Sequence, residues 1–228
     1  WSSDVCSSDL LFWDIQASSD GFTACASCHY NGGADARIKN EMYPGHDETF
    51  NIFESGSGGV NTTLESSDFP FHRLSNPNDA ESTVLQSVDD AHASAGVPMR
   101  IFEGVNPGEG LEDGTIVPDP EFNVGGCNLD QVTNRNAPTV INSVFFVRSY
   151  WDGRADYIFN GVNAYGAQDP DARVLKTMPD GSVQEVQIAI EKAALASQAV
   201  NPLPSPVEMA WKDGVEVRSL AVVAQKML

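Results

Sequence analysis

Residues 22–37 read FTACASCHYNGGADAR. Within them Cys25, Cys28 and His29 stand at i, i+3 and i+4, positions that share a face on one helical turn. Two thiols and an imidazole on one face suit a haem, because the thiols can add to its two vinyl groups while the histidine reaches the iron from the same side. A structural zinc site needs four N or S ligands, usually in two paired clusters. After Cys25 and Cys28 only Cys127 and scattered histidines remain for that role. A thioredoxin-type dithiol opens a helix behind a strand of a βαβ unit, whereas SSDGF at 18–22 reads as a loop. The spacing therefore points to c-type haem, with Cys25 and Cys28 as attachment residues and His29 as the iron ligand.

The far side of the iron then decides the chemistry. An open or weakly held position allows peroxide chemistry, and a firm Met or His ligand favours electron transfer. Candidates are His46 in YPGHDE, His72 in FPFHRL, His92 in DDAHAS, Met42 and Met99. His46 and His72 lie in loops able to fold over a haem and are preferred as ligand or acid–base group. His92 falls in an acidic, helix-like segment and is expected at the surface. Met99, beside Pro98, is expected in the core.

The chain is strongly acidic, with 32 Asp and Glu against 13 Lys and Arg over 228 residues. That balance argues against nucleic acid or an anionic membrane as a partner and would attract a basic electron-donor protein. No apolar run approaches membrane-spanning length. Residues 1–10, WSSDVCSSDL, match the translation of a short-read sequencing adapter and are read as an assembly artefact. A signal peptide would then be lost with the true N-terminus. Without Cys6 the cysteines are Cys25, Cys28 and Cys127, too few for a disulfide framework. Cys127 is expected to be a small buried side chain.

Helical stripes are read at 20–29, at NAPTVINSVFF (136–146, with Val140, Ile141, Val144 and Phe145 on one face), at 183–200 and at 215–228. Residues 31–80 and 96–135 are rich in Gly, Asn, Asp, Pro and Ser and read as loops. Loops this long are unusual in a compact domain; a large apolar cofactor that they wrap would resolve the conflict. The fold expected is mainly α, a cytochrome c-like haem domain with short helices and long irregular loops. A haem domain is assigned to 11–175 and a helical lead-in to 176–228.

Two stretches resemble landmarks of the bacterial di-haem cytochrome c peroxidase/MauG family. LFWDIQASSDGFTACASCHYNGGADAR (Leu11–Arg37) is similar to its first haem motif, and RNAPTVINSVFFVRSYWDGRADYIFNG (Arg135–Gly161) to its second landmark. FPFHRLSNPND and AALASQAVNPLPSP resemble a long, loop-rich branch. The resemblance implies two cytochrome c-like domains, each with covalent haem c, working in the periplasm. It implies reduction of hydrogen peroxide with electrons from a small redox donor protein, a cytochrome or cupredoxin; MauG-like relatives instead oxidise a protein side chain. On this match Cys25 and Cys28 carry the thioethers and His29 is proximal. His46 or His72 lies distal, Trp151 sits at the haem edge, and Arg135 or Arg154 binds a propionate. For Trp151 and Arg154 the alternative is structural: Trp151 in the core and Arg154 paired with Asp152.

The sequence departs from the pattern twice. No second Cys-x-x-Cys-His occurs before Leu228, so the second haem is expected in a C-terminal half beyond this chain. Asn160 stands where peroxidases carry a glutamate, and an amide cannot shuttle a proton as a carboxylate does. A single-haem electron-transfer module without peroxidase activity is therefore the alternative function. Calcium is a candidate for ordering the acidic loops.

Overall fold

The computed structural model describes residues 10–32, 34–212, 214 and 218–227. The expected artefact at 1–10 thus lies, apart from Leu10, outside the described residues. Among the described residues, helices α1 (Cys25–His29), α2 (Ala194–Ala199) and α3 (Leu220–Met227), together with helical residues 10–13, accompany twelve short strands. The strands are β1 (Met42–Tyr43), β2 (His72–Leu74), β3 (Val84–Ser87), β4 (Ala91–His92), β5 (Ala95–Pro98) and β6 (Arg100–Gly104). They continue with β7 (Asp113–Ile116), β8 (Asn123–Val124), β9 (Cys127–Asn128), β10 (Asp130–Val132), β11 (Val174–Thr177) and β12 (Val183–Val186). All pair antiparallel in two-stranded sheets: β1 with β4, β2 with β3, β5 with β10, β6 with β7, β8 with β9 and β11 with β12.

The mainly α expectation is therefore overturned: helix accounts for 16% of the chain and strand for 23%. The stretch 136–146 forms no α-helix. Asn142 is left-handed (φ 64°) and only a 3-10 turn at Ser143–Phe145 follows. Its β-branched residues Thr139, Val140, Ile141 and Val144 lose side-chain freedom in a helix. The 183–200 stripe divides as well. Met178-Pro-Asp-Gly-Ser182 is a turn, with Gly181 at φ 83° and Met178 N–H bonded to Ser182 O. It closes the β11–β12 hairpin, and Lys192 at φ 58° keeps α2 from starting before Ala194. Gly125-Gly126, both at positive φ, make the equivalent turn between β8 and β9. Such Asp-Gly and Gly-Gly pairs are hairpin signals. The supposed loops 31–80 and 96–135 hold most of the strands.

Packing is in small clusters. Ala93, Ala95, Phe122 and Val132 form one, with Tyr43, Phe50, Val60 and Leu129 against it. Met42, Phe53 and Leu64 form another, which also touches Phe50. Helix α3 closes onto the N-terminal segment. Val223 is buried, and buried Lys226 donates to Ser18 O and lies 3.2 Å from Glu112 Oε1. Nearby, the Trp211 N–H donates to Ser19 Oγ (2.8 Å). This docking anchors the segment that enters α1.

Candidate haem-attachment site

Asp20 shapes the approach to α1. Its Oδ1 accepts the Phe22 and Thr23 N–H groups at 2.9 Å each, and Oδ2 accepts the Thr23 hydroxyl at 2.8 Å. Ser27 Oγ then accepts the Ala24 N–H at 3.0 Å, satisfying a donor at the helix start. The single turn that follows presents Cys25, Cys28 and His29, all half-buried and with both cysteines as free thiols.

His29 Nδ1 lies 3.1 Å from Pro138 O. A carbonyl only accepts, so Nδ1 carries the proton and the neutral ring has its lone pair on Nε2, the form in which a histidine ligates a metal. Pro138 is the proline of Arg135-Asn-Ala-Pro-Thr139, which lies across α1. Asp35 N–H donates to Ala137 O (3.2 Å), Ala137 N–H to Ser94 Oγ (2.8 Å) and Thr139 Oγ1 to Gly32 O (2.5 Å). From Pro138 the chain continues into an exposed apolar run: Val140, Ile141, Val144, Phe145, Phe146 and Val147. Contiguous exposed apolar surface marks a ligand or partner seat. Two thiols, a correctly protonated imidazole and an adjoining apolar run fit a covalently held haem.

Arg37 organises the far flank. Its guanidinium donates to Asp35 Oδ2 (2.7 Å) and Ala95 O (2.8 Å), and lies 3.3 Å from both Cys28 Sγ and Glu41 Oε1. Burial pushes the Cys28 thiol up to about 11 against the pull of Arg37, and it raises Cys25 as well. Both sulfurs are thus held as thiols near neutrality. The two carboxylates beside Arg37 divide: hydrogen bonds from Arg37 outweigh burial and lower Asp35, whereas burial pushes Glu41 up to about 8. Between an unfolded value near 4.5 and about 8, the folded state binds the Glu41 proton and the unfolded state does not. The Glu41 contribution to stability is fully present below about 4.5 and is lost as pH rises toward 8. Urea midpoints measured across that window are expected to fall with pH, and Glu41→Gln is expected to flatten the slope. An equal slope in the variant would exclude Glu41 as its source.

The other predicted residues scatter. His46 sits in an exposed turn, its backbone N–H bonded to Asp89 Oδ2 (2.9 Å). His72 is an exposed β2 residue with Nδ1 3.1 Å from Ser87 Oγ. Met42 is buried with Phe53 and Leu64. Cys127, expected inside, is exposed in β9, a two-residue strand behind the Gly-Gly turn. Trp151 is 85% exposed, which excludes a core role. Arg154 pairs with Asp152 (2.9 Å) and stacks 3.8 Å over Tyr150. Buried Asn160 is fully used: Nδ2 donates to Asn163 Oδ1 and Gly166 O, and Oδ1 accepts from the Val162 and Asn163 N–H groups.

His92, expected on a helix-like surface, is a half-buried β4 residue paired across the sheet with Met42. It lines an open depression together with Asn134, Arg135, Asn136 and Trp151. Its neighbours come from distant segments, which is why local pattern did not single it out.

The di-haem cytochrome c peroxidase family model matches residues 106–226, more than half of the chain. The chain belongs to the di-haem cytochrome c peroxidase family. Its family chemistry is haem-dependent, peroxidase-type oxidation and reduction. No curated protein and no solved structure matches it. The matched residues include Arg135–Gly161 but not Cys25–His29. The His29–Pro138 hydrogen bond is one of the contacts that join the cysteine motif to this family portion. Among the described residues no helix is long and apolar enough to cross a membrane.

Proposed function

We propose that this chain holds one covalent haem c, with Cys25 and Cys28 as thioether residues and His29 as proximal ligand. It would serve in an oxidoreductase that reduces hydrogen peroxide with electrons from a small donor protein. The observation that carries the reading is the 3.1 Å hydrogen bond between His29 Nδ1 and Pro138 O, which sets the tautomer a proximal ligand requires. When bound, the haem supplies the redox-active iron. The chain's own residues would orient it: Pro138 would fix the imidazole, the exposed apolar run from Val140 to Val147 would shield it from water, and Arg135 would pair with a propionate. His46 and His72 remain the candidate groups for the opposite side, as ligand or acid–base residue. The acidic surface suits a basic cytochrome or cupredoxin as donor. Covalent haem c would suit the periplasm or the cell exterior.

One observation favours electron transfer without turnover: Asn160 spends its amide on four loop hydrogen bonds and offers no carboxylate. A pyridine haemochrome assay on protein matured with haem-attachment machinery tests the site. Covalent haem is expected in the wild type, and its loss in the Cys25→Ser/Cys28→Ser variant. His29→Ala is expected to keep covalent haem but change the spectrum; an unchanged spectrum would place the ligand elsewhere. A high-spin, cyanide-binding iron supports the peroxidase reading, and separate His46→Ala and His72→Ala spectra identify any distal contribution. A six-coordinate, low-spin iron indifferent to cyanide and peroxide would sink it in favour of the single-haem carrier.

A further inference from the structure

We infer that His92 and Asn136 form a positioning pair that holds the Pro138 carbonyl against His29; the inference rests on the haem reading above. His92 Nε2 lies 3.4 Å from Arg37 O, a group that only accepts, so Nε2 carries the ring proton and Nδ1 accepts. The Asn136 amide Nδ2 sits 3.1 Å from that Nδ1 and donates to it. Asn136 Oδ1 is 3.2 Å from the Ser94 hydroxyl, whose oxygen also takes the Ala137 N–H at 2.8 Å. Ala137 O in turn accepts the Asp35 N–H. Residues 136 and 137 are thus held at the Asn136 amide, the Ala137 N–H and the Ala137 carbonyl. Pro138 follows directly, and its carbonyl oxygen lies 3.1 Å from His29 Nδ1.

His92 is suited to this place. It is half-buried in β4, backed edge-on by Phe69 with ring centroids 6.0 Å apart. It also reaches the Arg37 backbone, and the Arg37 guanidinium contacts Cys28 Sγ. The two flanks of α1 are therefore tied to each other through one imidazole. Outer partners of a metal-bound histidine set its orientation and raise its basicity. His92 is a positioning residue, acting on the iron only through Asn136, Pro138 and His29.

The test is resonance Raman of the ferrous, haem-loaded protein, read at the iron–histidine stretch, with the reduction potential measured alongside. His92→Leu removes the acceptor for Asn136; the expected result is a downshifted stretch and a raised potential. His92→Gln, whose amide can accept from Asn136 and donate to Arg37 O, is expected to restore both. Asn136→Ala alters no residue of β4 and is expected to give the same downshift, so a folding defect in His92→Leu does not decide the matter. Covalent haem with a stretch unmoved in both His92→Leu and Asn136→Ala would overturn the inference. Absence of covalent haem in the wild type would instead overturn the haem reading, and the inference with it.

Discussion

Replacing Arg218 with Met is expected to destabilise the protein by about 3–5 kcal/mol. Arg218 and Glu112 are both buried with side chains wholly out of solvent, and they form a direct ion pair. The guanidinium also donates to Ala17 O, to Leu203 O (3.0 Å) and to Met209 O (3.0 Å). Burial lowers the Arg218 pKa, the opposing pull being the Glu112 carboxylate. Methionine approximates the volume but donates nothing. It leaves the Ala17, Leu203 and Met209 carbonyls without this donor, and Glu112 with Lys226 as its remaining ion-pair partner, while Oε2 has no hydrogen-bond partner even with Arg218 present. Because Lys226 still balances the Glu112 charge, the cost lies in the carbonyl and carboxylate acceptors that lose a charged donor. Urea unfolding should show a lower midpoint at unchanged slope. The Arg218→Met/Glu112→Leu double variant should lose more than the single one, because it strands the buried Lys226 ammonium without its carboxylate. A single-variant loss under about 1 kcal/mol would mean that water reaches Glu112 and the pair is effectively a surface one. The effect should extend to α1, since Ala17 precedes Asp20, whose carboxylate shapes the entry to that helix.

Gly96→Ala is expected to cost at least about 3 kcal/mol, the upper end of the overpacking range. Gly96 lies in β5, whose backbone runs against residues 207–208. An added Cβ would fall on the Val207 carbonyl oxygen and lie 2.6 Å from Glu208 O and 2.7 Å from Glu208 Cα. These are backbone atoms, so no side-chain rotation relieves the clash. Either β5 or the 207–208 segment must move. The first carries Ala95 O away from Arg37 and Cys28, and both movements strain the Val97 N–H bond to Val207 O (3.0 Å). Hydrogen exchange at Val97 should accelerate along with the lower urea midpoint. Retained protection and a midpoint loss below about 1 kcal/mol would show that the two segments are not packed at this distance.

The cysteine–histidine turn was legible because its logic is local. Three residues within five positions share a face of any helix they form, whatever surrounds them. The hairpins at Asp180-Gly181 and Gly125-Gly126 carried a local signal too, but strands of two to four residues are too short for alternation to outweigh a helical stripe. The stripe at 136–146 misled for a related reason. Periodicity reports which residues could share a face, and Val140, Ile141, Val144 and Phe145 lie exposed rather than in a core.

Lys226, in the last turn of an amphipathic helix, has the pattern of a solvated charge. It is buried because Glu112, Ser18 O and the neighbouring Arg218 are assembled from three distant segments. The state of His29 is decided in the same way. The sequence by itself determined that two thiols and an imidazole face one way. Which nitrogen of that imidazole bears its proton was set by a carbonyl 109 residues along the chain. Local spacing decides which groups lie together on a turn, and only tertiary packing decides which backbone atom arrives to hydrogen-bond with them.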